Sequence, residues 1–186
     1  EMIFGDYVAK GLEGIIGKSL TSTYDPGTRN FDWIKLKASS KKELLDTVDA
    51  VIMGYYAGSG SRAKFGMGAL LAGVYDSETD SFVSLAKVGS GLKDQGILKY
   101  VKAMEPYILK GMPKEYRIAS NLIPDVIISP KIVITIAADS ISRSKMHGAG
   151  GVSLRFPRLM EFGRDKDPQD TATLKELESM CVLKGG

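Results

Sequence analysis

Residues 48–88 read VDAVIMGYYAGSGSRAKFGMGALLAGVYDSETDSFVSLAKV. Three apolar runs of strand length stand in succession here: Val48 to Tyr56, Ala69 to Tyr75 and Phe82 to Val88. The last two are joined by the turn-like Asp76-Ser77-Glu78-Thr79-Asp80, while Gly58 to Gly68 forms a longer, Gly-rich and basic loop. Downstream the period changes. From Gln95 to Leu109, residues Leu98, Val101, Met104, Tyr107 and Ile108 recur at helical spacing, which predicts one helix with those five on its buried face.

Lys131 to Ala137 (KIVITIA) returns to strand, and Gly151 to Phe156 (GVSLRF) is expected to be the fifth and last. A terminal helix is expected over Thr173 to Val182, with Thr173 as N-cap and Glu176 completing a capping box. Three strands, a helix and two strands are the order of an OB-fold, a small Greek-key barrel that binds oligonucleotides. The fold class expected is therefore mainly β with helices, built on a five-stranded barrel in the order β-β-β-α-β-β. Upstream, Leu12 to Ser19 and Phe31 to Lys37 read as two further strands around the turn at Pro26-Gly27. The small polar stretch after Lys37 is the best boundary in the chain. These signals divide it into 1–38, a hinge at 39–41, a barrel domain over 42–168 and a tail helix in 169–186.

Bulk composition bounds the possibilities. At 44% hydrophobic and 25% charged, the chain has the balance of a soluble globular protein. Its 21 glycines favour a turn-rich β architecture. The single cysteine, Cys181, excludes an internal disulfide framework and fits a reducing, intracellular compartment. No apolar run is long enough to cross a membrane, and no signal peptide is legible. Net charge is only +3, yet Lys131 to Lys166 holds seven Lys/Arg against Asp139, Glu161 and Asp165, a locally basic stretch. Glu1-Met2-Ile3 opens without a start methionine, so the sequence is expected to be a piece with its upstream part missing.

Lys35 and Lys37 are two apart on a strand, so their ammonium groups share one side and together suit a phosphate. Glu13 is a carboxylate in an apolar run, and it needs a cleft, a lysine or a metal ion to be tolerated. Singly, K-x-K is most often a solvated strand face and a lone Glu a salt-bridge partner. In combination they say more. Glu13-Gly14-Ile15-Ile16-Gly17-Lys18, then Tyr24, Pro26-Gly27-x-Arg29 and Asp32-Trp33-Ile34-Lys35-Leu36-Lys37 resemble motifs IV and V of the covalent nucleotidyltransferases. Gly58-x-Gly60-x-Arg62, Gly68-Ala69-Leu70-Leu71-Ala72, Lys87-Val88-Gly89-Ser90-Gly91 and Arg143-Ser144-x-x-His147 continue the likeness. Ser153-Leu154-Arg155-Phe156-Pro157-Arg158 with Arg164-Asp165-Lys166 looks like motif VI. The whole set resembles the C-terminal portion of the ATP-dependent DNA ligases.

That resemblance implies the end of a nucleotidyltransferase domain followed by the OB-fold. Its reaction takes ATP through a covalent lysine–AMP, with magnesium or another divalent cation, and seals a nick in duplex DNA. Lys35 and Lys37 would hold the α-phosphate, Arg29 would bind the nucleotide, and Glu13 would bind the cation. Arg155, Arg164 and Lys166 would close over the β- and γ-phosphates. Arg62, Lys64, Lys87 and Arg143 would meet DNA, with Lys93 a further candidate; His147 reads as structural and Trp33 as packing. A membrane is not implied, and these residues give no reading of a sliding-clamp partner. An intracellular site is expected, cytoplasmic in a prokaryote and nuclear in a eukaryote. The chain departs from the family at Ser129, where Glu is common, at Gly17, where an apolar residue is usual, and in the Ala38-Ser39-Ser40 linker. It also lacks the family's K-x-D-G lysine, so these residues alone are expected to be silent in self-adenylation. Rival readings are an RNA ligase or capping-type nucleotidyltransferase, against which R-F-P-R at 155–158 speaks, and a non-catalytic OB-fold module that binds single strands by aromatic stacking.

Overall fold

The computed structural model describes residues 2–24, 31–37, 47–143 and 148–183. The chain divides into two compact units, Glu1–Leu45 and Asp46–Gly186. The expected hinge at 39–41 and the expected start of the barrel domain at 42 lie outside the described residues.

The first unit holds helix α1 (Met2–Ala9) and strands β1 (Gly14–Lys18) and β2 (Trp33–Lys37). The two strands pair antiparallel, with Gly14 opposite Lys37, Ile16 opposite Lys35 and Lys18 opposite Trp33. Period-2 geometry then places Lys18, Trp33, Lys35 and Lys37 on one face and Ile15, Ile34 and Leu36 on the other. Helix α1 went unread in the sequence because it is short and buries only Phe4 among its described side chains.

In the second unit, β3 (Thr47–Tyr56), β4 (Ala69–Asp76), β5 (Ser81–Val88), β8 (Val133–Ala137) and β11 (Arg158–Arg164) are the long members of one sheet. Its strand order is β11-β8-β3-β4-β5-β6, with β6 at Tyr116–Arg117 and β7 (Val126–Ile127) also paired to β3. The sheet curls until its ends meet. Ser90, just past β5, bridges in parallel to Arg158, and the Leu159 N–H donates to the Ser90 carbonyl at 2.9 Å. Gly91 follows at φ 81°, packed so closely that a Cβ there would collide with the Leu159 backbone. Only glycine satisfies both demands.

That closure corrects the expected fifth barrel strand. Gly151 to Phe156 does contain a strand, β10 (Val152–Arg155), but it pairs with β9 (Ser140–Arg143) in a separate ribbon. The barrel is completed instead by β11. Its residues RLMEFGR concealed it, because register shifts at Leu159/Glu161 and Phe162/Arg164 break the alternation on which a strand reading depends.

Helix α2 (Asp94–Met104) differs from expectation in two ways. It stops before Pro106 and passes into a tight turn at Glu105–Tyr107. Its buried face runs through Ile97, Val101 and Met104, while Leu98 is 59% exposed. The core needs the i, i+4, i+7 row one position earlier, which the shared Val101 and Met104 left ambiguous.

Strand β3 is buried on both sides. Ile52 enters a cluster with Leu70, Leu85, Ile97, Ile134, Leu159 and Leu177, whereas Val51 and Met53 join Leu71, Phe82, Tyr116 and Val133. Helix α3 (Leu174–Leu183), which falls in the tail expected at 169–186, packs into this core through Leu177. Its capping box is formed: the Glu176 N–H donates to Thr173 Oγ1 at 3.2 Å, and the Thr173 N–H to Glu176 Oε2 at 2.9 Å. Leu177 is fully buried, so Leu177→Ala is expected to lower the unfolding free energy by about 2–5 kcal/mol. Urea denaturation of the chain checks this; a loss below about 1 kcal/mol would return α3 to the status of an appendage.

Candidate functional site

In the first unit, Glu13 and Lys35 border one open pocket of about 230 Å³ with Gly14, Ile15, Ile16 and Leu36. Glu13 is thus an exposed carboxylate on a cleft, which removes the burial penalty the sequence had left open. Lys37 pairs through its backbone with Gly14, so its place on the Lys35 face follows from register; Arg29 lies outside the described residues. The Lys18 ammonium sits 4.2 Å from the Trp33 ring centroid, and the Tyr24 ring lies 5.1 Å away. Trp33 is accordingly covered by neighbours, in keeping with a packing role. Among the described residues no group of three or more His, Cys, Asp or Glu could hold a metal. One carboxylate beside a lysine fits a divalent ion held largely by phosphate and water, and does not fit a protein-built cage.

The second unit gathers cations along two cavities. Lys87, Arg143 and Arg155 line a groove of about 520 Å³ with Ser142, Ser153, Phe156 and Pro157. Phe156 is a non-glycine residue at φ 52° and 64% exposed, forming the corner between β10 and β11. The Arg155 guanidinium lies 5.6 Å from its ring centroid. Lys87 also borders a second cavity of about 290 Å³ with Tyr56, Ser59, Arg62 and Gly89. Its ammonium is 3.9 Å from the Tyr56 ring centroid. Burial, then the charge of Asp125, pushes the Tyr56 hydroxyl up to about 12, and it donates to the Leu122 carbonyl at 2.6 Å. Tyr56 is therefore a neutral, fixed wall at neutral pH.

Arg62 has a structural task as well. Its Nη1 donates to the carbonyls of Gly68 at 3.0 Å and Gly89 at 2.8 Å, and its Nη2 to that of Leu92 at 3.2 Å. One guanidinium thus ties the β3–β4 loop to the segment after β5. Gly58 permits this, since a Cβ there would strike the Arg62 carbonyl. Lys64 is exposed, 4.9 Å from the Phe65 ring centroid. Lys93 immediately precedes α2 with an extended backbone and lines neither cavity.

The three residues expected to close together over phosphates are not brought together. Arg155 ends β10 near the Ala137 end of β8, where Arg158 pairs with Ala137. Arg164 pairs with Val133 at the other end of β8, roughly 13 Å away at about 3.3 Å per residue. The Arg164 guanidinium bonds Glu161 at 2.9 Å, and Lys166 Nζ bonds Asp49 Oδ2 at 3.1 Å. Thr135 Oγ1 donates to the other Asp49 oxygen at 2.8 Å. Burial would raise the Asp49 pKa, but the bonds from Thr135 and Lys166 and the charges of Lys166 and Arg164 outweigh it and hold it below the ordinary value. Asp49 was missed in the sequence, although a lone carboxylate inside an apolar strand was the same signal that drew attention to Glu13.

A single-strand platform needs exposed rings, and several of the barrel's aromatics are core instead. Phe82 and Tyr116 are buried and pack edge to face at 6.3 Å, with Tyr75 tilted against Phe82 at 5.4 Å. A closed small barrel with cations along its grooves has the architecture of an OB-fold unit. The comparisons with known proteins take the assignment further: residues 63–166, more than half of the chain, match the ATP dependent DNA ligase C terminal region, and the chain belongs to that family. It is 44% identical over 187 residues to a probable DNA ligase of Dictyoglomus turgidum, covering 97% of this chain and 32% of that protein. It is 39% identical to a DNA ligase of Pyrobaculum calidifontis, again covering 97% of this chain and 32% of that protein. The chain spans about a third of the length of the curated relatives it matches. Among solved structures, the ligase domain of M. tuberculosis LigD superposes with a TM-score of 0.55 at 25% identity, over 91% of this chain and 50% of that one. A mycobacterial DNA ligase D complexed with ATP and MES matches at a TM-score of 0.52 and 23% identity, over 91% and 49%, a likeness of fold.

Two outcomes follow from the bonds described. Arg62→Lys keeps the charge but has no planar fork to reach three carbonyls, and is expected to cost about 1.5–3 kcal/mol of stability in urea denaturation. Asp49 has a depressed folded pKa, so its contribution to stability is present above its unfolded value near 3.9 and lost as pH falls through the lower folded value. Asp49→Asn should therefore flatten the acid limb of the stability–pH curve below about pH 4. An unchanged limb would show that Asp49 is not held ionised by the fold.

Proposed function

We propose that this chain acts as the C-terminal part of an ATP-dependent DNA ligase, supplying phosphate-side groups from its first unit and a DNA-gripping barrel in its second. The observation that carries this reading is the groove shared by Lys87, Arg143 and Arg155 on the barrel of a family member. ATP supplies the adenylate that activates the 5′-phosphate of a nick. The residues of this chain position charge around that chemistry. Lys35, with Lys37 on the same strand face, would meet an α-phosphate, and Glu13, which borders the same pocket, would hold a divalent cation that offsets phosphate charge. Arg164 and Lys166 meet the β- and γ-phosphates, while Arg155 joins Lys87 and Arg143 on the DNA side. Catalysis in phosphoryl transfer of this kind rests on positioning and charge stabilisation, and fixed cations supply both.

Arg62 holds the glycine-rich loop in shape, and Lys64 presents its ammonium from that loop to a phosphate. The substrate is nicked duplex DNA, gripped through its backbone rather than through stacked bases.

No lysine of the chain stands in a K-x-D-G setting. Incubated with labelled ATP and magnesium and then denatured, the chain is expected to retain no covalent AMP. It should nevertheless bind a nicked duplex in preference to single strands, with affinity falling steeply as salt rises. Each of Lys87→Ala, Arg143→Ala and Arg155→Ala should flatten the log–log salt slope by about 0.9. Parent-like slopes for all three would remove the groove from the DNA face and sink the reading.

A further inference from the structure

Asp49 is the only residue of β3 that carries a charge, and two separate stretches of the chain return to it. After β11 the Lys166 ammonium comes back to its carboxylate at 3.1 Å, and the Ala172 N–H comes back to its carbonyl at 3.1 Å. The carboxylate itself cannot drift. Asp49 faces Thr135 in the β3–β8 register, and the Thr135 hydroxyl donates to Oδ1 at 2.8 Å, leaving Oδ2 for Lys166. Only the lysine end of the pair is free to move, because a four-carbon stem is flexible while a bonded aspartate on a sheet strand is not. The Lys166 side chain is 35% exposed, so an incoming anion can reach the ammonium from solvent.

We propose that Asp49 is an internal counter-anion for Lys166, which releases the lysine to a polyphosphate and takes it back when that polyphosphate leaves. This rests on the reading of Lys166 as a phosphate-side group. An ammonium has three donors and Asp49 engages one, so the exchange needs no intermediate in which the lysine is unpaired. The carboxylate also competes with the anion for the ammonium, which weakens binding and favours departure of pyrophosphate. Asp49 is thereby a positioning residue, acting through Lys166.

The test titrates the isotopically labelled chain with inorganic pyrophosphate at fixed ionic strength, without magnesium, following the backbone amides of Arg164 to Asp167. Asp49→Asn keeps an oxygen for Thr135 but loses the charge. It is expected to bind pyrophosphate roughly two- to fivefold more tightly, the range set by a partly exposed ion pair. Lys166→Ala should weaken binding, and adding Asp49→Asn to it should restore nothing. A brace that is merely lost does not raise affinity, so the gain separates this role from a structural one. Parent-like or weaker binding by Asp49→Asn, with Lys166→Ala still weakened, overturns the counter-anion and leaves the phosphate reading of Lys166 standing. Binding that ignores Lys166→Ala overturns both. Asp49→Ser, which removes the charge and keeps an oxygen for Thr135, gives the same gain should Asp49→Asn fail to fold.

Discussion

The second unit depends on one short seam. The Leu159 N–H to Ser90 carbonyl bond, beside a glycine that leaves no room for a side chain, turns a curved sheet into a closed barrel. Without it β11 and the part of β5 beyond its short pairing with β6 would be open edges, each offering unpaired backbone groups to other chains. With it β11 is fixed along its length, and so are the groups at its two ends. Arg155 is held at the start of the corner by Phe156 and Pro157, and Lys166 is held just past the finish. The seam therefore sets the separation of two cation sets whose chemistry differs.

Separation matters because the two sets are treated differently by their surroundings. Among the described residues Lys87 and Arg143 have no carboxylate partner, and with Arg155 they border an open groove that exposes their charge to solvent. Arg164 and Lys166 each have a carboxylate within hydrogen-bonding distance. A cation left open attracts any phosphate over a Debye length, as suits non-specific grip on a duplex. A cation already paired responds only to an anion that outcompetes its partner at short range. On the function proposed above, one small domain can in this way hold a general grip and a selective contact without confusing them.

Most of the architecture was legible because strand and helix periods are local signals. The three strands over 47–88, the start of the helix after them and the capping box at Thr173 appear where residue pattern put them. What escaped were features decided by partners distant in sequence. Nothing in GVSLRF says that it pairs with Ser140–Arg143 rather than with the barrel, and the bulged RLMEFGR hides a closing strand whose register only β8 defines. The rotation of α2 by one residue is of the same kind, since Leu98 and Ile97 are equally apolar and only the core chooses between them.

The candidate site followed the same division. Residue types were readable: a lysine pair two apart, a carboxylate in an apolar run, arginines in a glycine-rich setting. Their grouping was not, because the segment 153–166 is continuous in sequence while Arg155 ends β10 and Arg164 and Lys166 lie at and just past the far end of β11. A motif records which residues are kept close along the chain, whereas chemistry needs residues that are close in space. A β-strand carries neighbours apart at about 3.3 Å per residue, so the seven residues of β11 can join two sites. Arg155 and Lys166 are that case. Their nearness in sequence reflects the strand that closes the barrel, and their functions are set by what stands opposite each: a groove with Lys87 and Arg143 for one, the carboxylate of Asp49 for the other.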